Sequence, residues 1–89
     1  MSLKLAFPGC ASLKEKRGRL QPILARLCNQ FKLSVAETGL QDVWQSAWIS
    51  CAIVSNDQRQ NARVAAEIIH YVEVHFPDVI IEEQHIESR

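Results

Sequence analysis

The sequence predicts an α+β sandwich in which two helices cover one face of a four-stranded antiparallel sheet, in the chain order βαββαβ. Three observations carry this expectation. Two apolar stripes recur at helical spacing, over residues 13–30 and 62–76. Short runs of period-two alternation lie before the first stripe, between the two, and after the second. Each stripe opens on helix-capping residues, and Pro77 closes the second. In this order each helix can act as a right-handed crossover packing on the same sheet face, the split βαβ arrangement of a ferredoxin-like fold.

Leu3, Leu5 and Phe7 alternate with Lys4 and Ala6 until Pro8-Gly9 ends the run, which makes a short first strand. Ser12 followed by Glu15 is a capping box, each side chain satisfying an orphan backbone N–H, so the first helix begins at Leu13. Leu13, Leu20, Leu24, Leu27 and Phe31 form its apolar stripe. Pro22 removes a hydrogen bond to the carbonyl of Gly18, and the missing Cβ of that glycine favours a bend over a break. A hairpin spans residues 33–54. Leu33, Val35 and Glu37 share one face of its first strand, and Gly39 to Asp42 supply the turn. On its long second strand Ala47, Ile49, Cys51 and Ile53 face the helices, while Trp44, Ser46, Trp48 and Ser50 face away. Ser55, Asn56 and Asp57 are three successive N-cap candidates for the second helix, and residues 79–86 form the last strand.

The 89 residues are read as a single domain over 1–89, below the usual size of roughly 100–150. With 47% hydrophobic and 22% charged residues the composition is globular. No run approaches the roughly 20 apolar residues of a membrane span, so the expected location is cytoplasmic. Cys10, Cys28 and Cys51 are odd in number and lack metal-site spacing. Cys28 and Cys51 read as buried, and Cys10, in a Pro-Gly loop, as exposed. The net charge of zero conceals a division: residues 1–32 hold seven cations and only Glu15, whereas residues 33–89 hold three cations and nine anions.

Ser12-Leu13-Lys14-x-Lys16-Arg17, Ser34-Val35-Ala36-Glu37, Gln41-Asp42-x-Trp44-Gln45, Val54-Ser55-Asn56-Asp57 and His75-Phe76-Pro77, in this order across nearly the whole chain, resemble the YlxP-like family of small bacterial proteins of unknown function. The resemblance implies a ferredoxin-like fold. It also implies a ribosome-linked role, because family members are often encoded beside translation and ribosome-maturation factors. The chain departs from the family at its start, where members usually carry a strand several residues longer, and Trp48 lies outside the motif.

Three surfaces are candidates for function. Lys14, Lys16, Arg17 and Arg19 surround the start of the first helix, where cations, free N–H groups and the helix dipole together suit the phosphates of RNA. On a wheel with Leu13 at zero they fall at about 100°, 300°, 40° and 240°, so Lys16 and Arg17 flank the apolar stripe and are equally able to lie along its edge. Trp44 and Trp48, on the sheet face away from the helices, suit base stacking, self-association of an apolar patch into a homo-oligomer, or ordinary packing. Glu37, Asp42 and Asp57 sit at strand ends and loops where acids and bases often work, but Asp57 is more simply a cap and Asp42 a turn residue; Asn56 is a motif residue to which no chemical role is assigned. No nucleophile motif, phosphate loop or zinc spacing accompanies them, and His70, His75 and His85 do not converge. The expectation is a non-enzymatic binding module without cofactor or metal, whose partner is ribosomal RNA or a ribosomal subunit, or alternatively a second copy of itself.

Overall fold

The computed structural model describes residues 1–54 and 56–86, so the Ser55 cap candidate lies outside the described residues. The elements are β1 (Ser2–Ala6), α1 (Leu13–Phe31), β2 (Val35–Gly39), β3 (Ser46–Cys51), α2 (Gln58–His75) and β4 (Ile80–His85). They form one antiparallel sheet of order β2-β3-β1-β4, the ferredoxin-like arrangement. No helix among the described residues is long and apolar enough to cross a membrane.

The local chemistry explains the boundaries. The Ser12 side chain accepts from the Glu15 N–H at 3.0 Å, and the Glu15 carboxylate accepts from the Ala11 N–H at 3.0 Å, which completes the capping box. α1 continues unbroken through Pro22 and ends at Lys32, whose left-handed backbone (φ 55°) lets its N–H reach the Cys28 carbonyl. Asp57 caps α2 by accepting from the Arg59 and Gln60 N–H groups.

Leu3 and Leu5 of the central strand, Ala47 and Ile49 of β3, Leu20, Ile23 and Leu27 of α1, and Ile68 and Val72 of α2 are all fully buried between sheet and helices. Each large aliphatic side chain there contributes about 1.5–3 kcal/mol by leaving water. The register makes Ala47, Ile49 and Cys51 the inward face of β3, as the alternation implies.

Two expectations are corrected. β3 is shorter than the predicted strand: it starts at Ser46, and Trp44 belongs to the loop before it. The cysteines are also partly reversed, because Cys10 is buried against the core and Cys28 is exposed on α1. The Pro8-Gly9 turn, with Gly9 at φ +77°, folds Cys10 back under the sandwich, and its N–H donates to the Phe7 carbonyl at 3.2 Å. Burial pushes the Cys51 thiol above its ordinary pKa, opposed in part by the Met1 ammonium. At pH 8 Cys51 therefore holds less thiolate than a free cysteine, so one equivalent of Ellman's reagent, at Cys28, is expected to react rapidly with the native protein and three after denaturation. Fast reaction of more than one thiol in the native state would contradict this packing.

Candidate functional site

The most unusual side chain in the molecule is Lys16, which is 1% exposed. It projects from the first turns of α1 into the segment between β2 and β3, and its ammonium donates to the carbonyls of Leu40 (2.7 Å), Val43 (2.8 Å) and Ser46 (3.0 Å). An ammonium has three N–H groups, and these three carbonyls use them. The Gln41 carbonyl at 3.5 Å is a marginal fourth acceptor. The Glu37 carboxylate, 3.0 Å away, therefore meets Lys16 as an ion pair lacking directed hydrogen-bond geometry. Successive carbonyls of an extended strand point in opposite directions and cannot converge on one cation. The chain here curls around Nζ instead, with Leu40 at φ 60° and a turn closed by the Val43 N–H to the Leu40 carbonyl. This is why β3 begins late and Trp44 leaves the sheet.

Lys16 thus leaves the set of surface cations expected to bind an anion. Its neighbours Lys14 and Arg17 are exposed. Arg19 is partly committed, donating to the carbonyls of Pro8 (3.1 Å) and Asp78 (3.3 Å) with its guanidinium 5.3 Å above the Phe7 ring. The loop held by Lys16 carries Val43 and Trp44, 42% and 50% exposed. Because β1 ends where β3 begins (Ala6 opposite Ser46), this loop and the start of α1 lie at the same end of the sandwich. Trp44 thus lies outside the strand that carries Trp48, in the loop that shares this end of the sandwich with the basic helix start. Of the motif residues, Glu37 is the partner of Lys16, Asp42 is exposed in the clamped loop, Asp57 is the α2 cap, and Asn56 is exposed before it.

Trp48 does lie on the sheet face away from the helices, half-buried, with His85 stacked on it at 5.7 Å. The face around them is polar, which corrects the expectation of an apolar patch. Lys4 and His85 share the Glu83 carboxylate at 3.7 and 3.5 Å, and Ser2, Ser50 and Thr38 form a row of hydroxyls. Glu83 is not among the sequence candidates and His85 enters there only as a rejected metal ligand, although the alternation of a last strand over 79–86 puts residues 83 and 85 on a common face. Among the described residues, no group of three or more His, Cys, Asp or Glu side chains is placed to hold a metal.

Residues 1–85 match the family model described as protein of unknown function (DUF503). The uncharacterized protein YlxP of Bacillus subtilis (strain 168) is 37% identical over 68 residues, which cover 76% of this chain and 73% of that protein. The buried Lys16–Glu37 pair joins two of the motifs that carry the resemblance, so the motif and the clamp are one feature seen in sequence and in space. With its fold, its motifs and both comparisons in agreement, the chain belongs to the YlxP-like family of proteins of unknown function.

Proposed function

We propose that the chain is a non-enzymatic binding module of the bacterial cytoplasm that contacts ribosomal RNA with the end of the sandwich bearing Lys14, Arg17 and the Trp44 loop. The observation that carries this reading is the Lys16 clamp, which holds an exposed tryptophan in a shaped loop beside a basic helix start. Cations supply affinity for phosphate, and an exposed indole supplies a stacking surface for an unpaired base. Arg19 adds positive charge but is fixed between two loops, so its role is to position them. The polar character of the face around Trp48 weighs against self-association there as the principal function.

Co-sedimentation of the purified protein with ribosomal subunits at low and moderately high salt tests this. Pelleting with one subunit, weakening steeply as salt rises, is the expected result. Reversing both charges in K14E/R17E is expected to abolish pelleting and leave the circular dichroism unchanged, because both side chains are exposed. Trp44→Ala is expected to weaken it by about 1–3 kcal/mol, the worth of one stacked base. Pelleting that is absent, or that survives K14E/R17E, would overturn the reading, and a dimer mass in sedimentation velocity would then favour the homo-oligomer.

A further inference from the structure

The outer edge of β4 is used by neither the core nor the RNA-contact surface. β4 pairs with β1 on one side only, and an edge strand presents a row of unpaired N–H and C=O groups on the other. Beside it a groove of about 640 Å³ runs between β4 and α2. Half-buried Ile69 and Ile81 and exposed Ile80 give the groove its apolar surface, and Glu73, Glu82 and Glu83 give it charge, with no cation in its lining among the described residues. The register between β1 and β4 skips Glu82, so a bulge interrupts the strand at the middle of the groove.

The geometry points to this edge as the docking site of a basic, extended segment of another protein. Such a segment adds a fifth strand beside β4, lays its apolar side chains over Ile69 and Ile81, and sets its Lys or Arg side chains against the carboxylates. Charge decides the class of occupant. Two copies of this chain joined β4 to β4 would bring Glu82 and Glu83 of both to one seam, and like charges across paired strands are destabilising. A cationic strand meets the same carboxylates favourably. The opposite edge, β2, lacks this character, because its acidic residue Glu37 is already paired with Lys16. Glu83 is shared with Lys4 and His85, so Glu73 and Glu82, both exposed, are the carboxylates to test.

The probe is an acetylated, amidated heptapeptide of alternating Lys and Val titrated into the ¹⁵N-labelled full chain. Saturable amide shifts concentrated over Ile80–His85 are expected. Replacing the central Val by Pro removes one strand N–H and is expected to weaken binding about fivefold, the worth of one net hydrogen bond. E73K/E82K is expected to weaken it at least as much while leaving the spectrum of the free protein folded, and a peptide of alternating Glu and Val is expected not to bind. No saturation at millimolar peptide, shifts spread over the whole surface, or equal affinity of the proline peptide would overturn the proposal. None of these outcomes depends on ribosome binding, so the two surfaces stand or fall separately.

Discussion

Replacing Lys16 by Met is expected to lower stability by about 3–5 kcal/mol, the cost of breaking a buried pair from one side. A chain of 89 residues has roughly 4–13 kcal/mol in total, so the loss is a large share of the whole. The cost has two parts. The Glu37 carboxylate, with its side chain only 20% exposed, loses the cation 3.0 Å away. Three carbonyls that converge on Nζ lose their donors together, and the Leu40–Ser46 segment loses the reason for its shape. Lys16→Arg is expected to rescue poorly, since a planar guanidinium cannot reproduce three bonds from one compact head. Adding Glu37→Gln to Lys16→Met is expected to recover about 1 kcal/mol or more, because the orphaned charge is gone while the Val43 and Ser46 carbonyls still lack the ammonium donor and only Leu40 keeps its bond from the Val43 N–H. Urea unfolding followed by circular dichroism measures each term. A loss below about 1 kcal/mol for Lys16→Met would mean that the ammonium is hydrated and the clamp weak. If the proposed RNA contact holds, the same substitution is expected to abolish ribosome co-sedimentation by releasing the Trp44 loop, and K14E/R17E is expected to abolish it without loss of stability.

The order and layering of the elements were legible because each rests on a local rule: period-two runs, a capping box, an Asp cap and a terminating Pro. The Lys16 clamp was half legible. At about 300° on the wheel Lys16 lies between Ile23 at about 280° and Leu27 at about 320°, in the middle of the face that turns out buried, and Glu37 alternates inward with Val35. A cation and an anion both directed inward predict a buried pair. What periodicity does not reveal is that the ammonium also gathers carbonyls, which moves the start of β3 and takes Trp44 out of the sheet. Cys10 was misplaced for a related reason. Pro8-Gly9 marks a turn, but only the return path of the chain decides which side of the turn is covered. The pairing of His85 with Trp48 and Glu83 is not legible from histidine spacing, which only separates it from His70 and His75 on α2; its neighbours are set by strand register.

Phe7→Ala is expected to be about as damaging, at about 3–5 kcal/mol, because the ring is fully buried and its removal leaves a cavity in the core. Phe7 follows β1, donates its N–H to the Gln45 carbonyl at 2.8 Å, and accepts from Cys10 at 3.2 Å, which ties the clamped loop to the turn before α1. Arg19 lies over its ring and holds the carbonyls of Pro8 and Asp78, which ties in the α2–β4 loop. The proposed RNA-contact end is therefore held by two cations, Lys16 inside the β2–β3 loop and Arg19 over the Phe7 ring. Phe7→Leu keeps most of the buried volume but loses the ring, so it separates packing from the guanidinium contact. Arg19→Ala is expected to cost about 0.5–1 kcal/mol more in the parent than in the Phe7→Leu background, the worth of an exposed cation–π contact. Equal costs in both backgrounds would assign Arg19 entirely to its two carbonyls, and the junction would then be held by hydrogen bonds alone.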